Sequence, residues 1–167
     1  MELAGTFDVR APPDRVFAFL IDPARLLAGF EGAGPVAVDR HGSFSGSIAV
    51  ALFLVRGTIR YQGKYTRADP GRSVRAELHG SGFGGPFTAR IEAELRPTAT
   101  GTRTEWRATA DLTSGAGRFA EASLRSEVER RLAAVFERAR QRLETPPPAR
   151  ARSRPPPRTP SRPRRPS

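Results

Sequence analysis

The hydrophobic period of this chain changes once, and that change restricts the fold more than any other feature. From Pro35 to Leu112 apolar or small residues recur at every second position. The runs are Phe44–Leu52, Val55–Tyr65, Val74–Leu78, Phe87–Leu95 and Thr104–Leu112, each a strand with one buried face. Asp69-Pro70-Gly71, the glycine-rich stretch Gly80–Pro86, and Pro97–Gly101 read as turns between them. Short links imply antiparallel neighbours. Ile48–Val55 is the most apolar run and reads as a buried strand. Beyond Leu112 the step becomes three or four: Leu124, Val128, Leu132, Val135 and Ala139 mark one stripe of a long helix, with Arg125, Glu129, Arg130 and Glu137 between them. Glu127 and Arg131 form an i, i+4 pair worth about 0.3 kcal/mol on its surface. Ahead of the strands, Leu3, Gly5, Phe7 and Val9 alternate as a first strand. Pro13 opens a short helix carrying Val16, Phe17 and Leu20, Pro23 ends it, and Ala24–Leu27 add a turn. This order predicts an α+β domain in which a curved antiparallel sheet of about six to seven strands wraps on a long C-terminal helix. Glycines inside the strands suit a sheet that bends.

The chain has 167 residues, but the last 23, from Thr145, differ in kind: nine prolines, seven arginines and no acid. Residues 1–144 form the expected domain, and 145–167 a disordered basic tail that cannot bury a core. The formal charge of +11 falls to +4 without the tail. Lys64 is the sole lysine against 27 arginines, a bias that looks like genome composition. There is no cysteine, which excludes disulfides and thiolate chemistry. The start, MELAGTFDVR, has no signal-peptide pattern, and no run is long enough to span a membrane as a helix. The expected location is cytoplasmic.

Catalytic chemistry finds little to work with. His41 and His79 sit near different turns with no partner spaced for a triad, and read as ordinary turn and strand residues. No ligand cluster for a metal appears. Glu92, Glu94 and Glu105 share an outward face with Arg90 and read as a solvated salt-bridge face, not the buried carboxylate pair that acid–base work needs. The glycines of 80–85 open no helix and so form no phosphate loop. The informative set is the inward one: Phe44, Ile59, Tyr61, Leu78, Phe87, Trp106, Phe119, Leu124, Val128 and Leu132, with Phe83 at the rim. Small residues between them leave volume, and an apolar cavity with few polar groups is a ligand site. Tyr61 and Trp106 each supply a hydrogen-bond handle.

The opening MELAGTFDVRAPPDRVFAFLIDPARLL, the IRYQGKYTRADP segment from Ile59 to Pro70, and ELHGSGFGG from Glu77 to Gly85 resemble the CoxG family of carbon monoxide dehydrogenase subunits over residues 1 to about 143. Phe30-Glu31-Gly32 stands where that family has Ile-Pro-Gly, and Phe53-Leu54-Val55 where it often has Gly-Pro-Val. The resemblance implies a helix-grip fold of the START-like SRPBCC superfamily. It implies a non-enzymatic accessory protein that needs no cofactor, binds a quinone or other lipophilic small molecule, and helps bring a molybdenum-containing dehydrogenase to the membrane. The tail arginines Arg150, Arg152, Arg154, Arg158, Arg162, Arg164 and Arg165 are then the membrane or partner contacts, on the inner face of the cell membrane. The alternatives are a pocket enzyme of the cyclase or hydrolase type and a tail-mediated interaction adaptor. The tail lacks interleaved aromatics for stacking, which argues against nucleic acid.

Overall fold

A computed structural model describes residues 1–52, 55–82, 85–112 and 118–146. Phe83 and the seven tail arginines lie outside the described residues, as does the side chain of Phe119.

The elements run β1 (Glu2–Val9), α1 (Pro13–Leu20), α2 (Pro23–Leu27), β2 (Ala37–Val38), β3 (Phe44–Leu52), β4 (Val55–Asp69), β5 (Ser73–Gly82), β6 (Gly85–Pro97), β7 (Thr102–Leu112) and α3 (Arg118–Glu144). The strands form one antiparallel sheet in the order β1-β7-β6-β5-β4-β3-β2, so the first strand crosses over to pair with the last. Each local rule has its counterpart. Pro13 occupies the first turn of α1, where a missing N–H costs nothing, with Asp14 against the positive end of the helix. Asp22 caps α2 by accepting from the Arg25 N–H at 3.1 Å. Pro146 and the prolines after it follow the end of α3.

Two expectations about boundaries change. The stretch Gly80–Pro86 is not one long turn, because β5 continues to Gly82 and β6 starts at Gly85 as its direct partner. Nor is Ile48–Val55 one buried strand. Leu52 pairs with Val55, so the run is the end of a β3–β4 hairpin, with Ala49 and Ala51 exposed on its outer side. The two-residue β2 had no period to reveal it.

Close approach of rings to backbone explains the sheet's glycines. The Phe44 ring lies on Gly63 and the Tyr61 hydroxyl on Gly46, leaving no room for a Cβ at either. At one end, α1 packs on β5 and β6. There Phe7, Val9, Val16, Phe17, Phe19, Val74, Leu95, Ala139 and Leu143 form the core.

Candidate functional site

The helix α3 crosses the concave side of the sheet and meets it chiefly at β1 and β3, on opposite flanks of the curve. Beyond the core, where β5 and β6 run toward Gly82 and Gly85, the sheet faces the helix across a gap. Ile91 of β6 marks that gap: its neighbours on the same face, Ala76 and Ala93, are buried, yet Ile91 itself is 39 % exposed. Leu112, on the concave face at the end of β7, is 38 % exposed. Alternation places both side chains inward, so their exposure means that the helix does not close over the middle of the sheet. The stripe of α3 is graded in the same sense. Val135, Ala139 and Leu143 are buried, whereas Leu124, Val128 and Leu132 are half-buried.

The residues singled out from the sequence fall into two groups. Ile59, Leu78, Phe87, Leu124, Val128 and Leu132 are half-buried around the gap. Phe44 and Tyr61 are buried on the β3 side, ring centroids 6.5 Å apart, with Tyr65 5.5 Å from Phe44. Trp106 lies over Gly5, 5.4 Å from Phe136, which stacks on Phe7 at 5.2 Å; these rings join the β1 flank to the helix. Ile91, Leu112 and Phe136 belong with this set and were not singled out. The first two were legible as members of the alternating runs, and Phe136 as the neighbour of Val135 on the helix stripe.

Three buried polar atoms on the concave face have no hydrogen-bond partner among the described residues: Tyr61 Oη, Thr104 Oγ1 and Trp106 Nε1. Buried polar groups are normally satisfied, so unpaired ones call for a partner of complementary chemistry. Burial raises the Tyr61 pKa, and burial together with the nearby Asp22 carboxylate raises that of Tyr65, whose hydroxyl donates to the Leu20 carbonyl at 2.8 Å. Both phenols are neutral donors at ordinary pH. Among the described residues the concave sheet face carries no carboxylate and no imidazole.

The gap is framed on the β3 side by a buried cation. Arg131 is only 6 % exposed, which its place in a surface i, i+4 pair did not suggest. Its Nε donates to Glu127 Oε1 at 2.6 Å, and its Nη1 donates to the backbone carbonyls of Glu31 and Ala49. Arg130 adds bonds to Glu127 and Glu31, and Arg138 to the Gly29 carbonyl. Hydrogen bonds from Arg130 and Arg131 lower the Glu127 pKa to about 2. Together these groups fasten α3 to the 29–34 loop and to β3.

The convex face is different in kind. Glu92 pairs with Arg75 at 2.9 Å, and Glu94 and Glu105 with Arg96 at 3.4 and 3.3 Å. His79 is exposed there beside a depression of about 410 Å³ that Val38, Asp39, Lys64 and Glu77 also line. His41 is exposed in the turn that Asp39 holds by accepting the His41 and Ser43 N–H groups. The two histidines and the paired acids face away from the helix. No group of three or more potential metal ligands occurs among the described residues, and no described helix is long and apolar enough to cross a membrane.

Comparison with known proteins agrees with this geometry. The profile of the CoxG family of carbon monoxide dehydrogenase subunits matches residues 5–144. No curated protein matches the chain. Among solved structures, a conserved protein from Geobacillus kaustophilus superposes with a TM-score of 0.76 at 14 % identity, over 86 % of this chain and 95 % of the other. The Zhui aromatase/cyclase from Streptomyces sp. R1128 gives 0.60 at 20 % identity, over 85 % and 94 %. Ara h 8.0201 gives 0.58 at 11 % identity, over 83 % and 96 %. Likeness at these identities establishes a shared helix-grip fold.

Proposed function

We propose that this chain, which belongs to the CoxG family of carbon monoxide dehydrogenase subunits, is a non-enzymatic accessory protein of a molybdenum-containing dehydrogenase. In this reading it carries a quinone or similar lipophilic molecule in the cleft between sheet and helix, at the inner face of the membrane. Family membership supports the accessory role. The exposure of Ile91 on the face that looks at α3 carries the ligand reading, because a filled core would bury it. The chemistry of the lining suits such a molecule. Half-buried aliphatic and aromatic side chains match a hydrocarbon chain, and the unpaired Tyr61 hydroxyl and Trp106 indole N–H are donors suited to carbonyl oxygens. The carbonyl-bearing ligand stays a cargo in this account. Acid–base catalysis in the cleft would need a titratable pair, and the described concave sheet face offers only neutral phenols. The tail arginines support reversible attachment to an anionic surface, each worth about 1 kcal/mol near it.

Trp106 is the sole tryptophan, so its fluorescence reports on the cleft alone. Titration with a short-chain quinone in vesicle-free solution is expected to quench it saturably, and Ile91→Arg is expected to abolish the saturable part. Linear collisional quenching, equal in both proteins, would remove the ligand reading.

A further inference from the structure

We propose that the β3–β4 hairpin is an interfacial anchor that sets the open side of the cleft against an anionic phospholipid bilayer; this deepens the carrier reading and rests on it. The sheet ladder shows the hairpin projecting. Arg60 pairs with Ser81 and Ile59 lies against Gly82, so among the described residues Val55, Arg56, Gly57 and Thr58 run on without a β5 partner, a projection of about 13 Å. Its β3 arm carries Ile48, Ala49, Val50 and Ala51, with no polar side chain among them. Its inner side is committed to the fold: Val50 is buried, and the Ala49 carbonyl accepts from Arg131. Its outer side is not, since Ala49 and Ala51 are exposed and the next outward side chains are Arg56, Thr58 and Arg60.

The charges along this arm differ from those elsewhere on the convex face. On β5 and β6, Arg75 pairs with Glu92 at 2.9 Å and Arg90 with Glu77 at 3.6 Å. Among the described residues Arg56 and Arg60 have no acidic partner. An apolar projection followed by uncompensated arginines matches the depth profile of a bilayer surface. Small apolar groups and arginine stems enter the acyl boundary, and the guanidinium heads stay at the phosphates. An acidic protein surface would match the charges but would leave the apolar projection unaccounted for. Leu112 and the half-exposed cleft residues lie toward the same end of the sheet, so docking there presents the cleft to its source of lipophile.

The absence of cysteine allows a direct test on the full chain. Ala51→Cys and, as a control four strands away on the convex face, Thr109→Cys are each labelled with an environment-sensitive fluorophore. They are then mixed with phosphatidylcholine vesicles with or without phosphatidylglycerol. The expected result is blue-shifted emission from position 51 on anionic vesicles only, no shift from position 109, and vesicle binding at least about tenfold weaker in Arg56→Glu/Arg60→Glu. Aqueous emission from position 51 on vesicle-bound protein, or undiminished binding of the double variant, would overturn the proposal and assign docking to another surface. Absence of vesicle binding by the unsubstituted chain would overturn it as well. Quinone quenching of Trp106, measured on the unsubstituted chain without vesicles, judges the cleft separately: no saturable quenching while position 51 still docks would sink the carrier reading and leave the anchor standing.

Discussion

Replacing Arg131 with methionine tests how the cleft is framed. The guanidinium is 6 % exposed and bonds to one carboxylate and two backbone carbonyls that lie on different elements. Removing one partner of a buried ion pair costs about 3–5 kcal/mol when the other stays buried and unpaired. Here Glu127 keeps Arg130 as a partner, and its side chain is 16 % exposed, so water relieves part of the loss. Methionine also keeps the apolar stem. The expected destabilisation is therefore about 3 kcal/mol, near the low end of that range. With a urea slope of about 2 kcal/mol/M, the unfolding midpoint should fall by about 1.5 M. The companion Glu127→Gln carries the pH signature. The folded pKa of Glu127 is about 2, below its ordinary value of 4.5. A lowered carboxylate pKa stabilises the fold above the unfolded pKa, and that stability is lost as pH falls toward the folded one. The unsubstituted protein should thus lose more stability between about pH 4.5 and 2 than the glutamine variant does. A midpoint shift under about 0.5 M for Arg131→Met, or parallel acid limbs for the two proteins, would refute the clamp.

Three further outcomes follow from the same geometry. Ile91→Arg should cost about 1 kcal/mol, because the side chain is already partly exposed, whereas Val74→Ala in the core should cost about 2–3 kcal/mol; chemical denaturation separates the two, and the reverse order would show the cleft to be closed. Tyr61→Phe removes a buried hydroxyl with no partner among the described residues, so the ligand-free protein should keep or gain up to about 1 kcal/mol in a thermal melt, while quinone affinity falls. Gly46→Ala puts a methyl against the Tyr61 hydroxyl and should lower stability by about 1–3 kcal/mol, with Tyr61→Phe partly restoring it.

The alternation of the strands and the period of α3 were plain in the sequence because each is a local consequence of one buried face. What stayed hidden depends on partners far along the chain. Ile91 and Ala93 have the same parity on one strand, yet one is exposed and the other buried; the difference lies in where α3 crosses the sheet. Arg131 follows the pattern of a surface residue, and only the carbonyls 100 and 82 residues away bury it. Ile48–Val55 concealed its turn for another reason. It is apolar on both sides, and its connection carries none of the Gly, Asn, Asp or Pro residues that usually announce a hairpin. The polar atoms of Tyr61 and Trp106 were visible as handles by residue type, but not that they lack a hydrogen-bond partner among the described residues.

The carrier reading stands or falls on whether the gap beneath Ile91 holds a lipophilic molecule. Native mass spectrometry of the freshly purified full chain, with organic extraction of what accompanies it, decides this. The expected result is a mass above that of the bare 18.2 kDa chain, and an extract containing an isoprenoid quinone or related lipid that is missing from Ile91→Arg. A bare chain that takes up no added quinone would contradict the carrier reading and return the concave face to the role of an incompletely covered core.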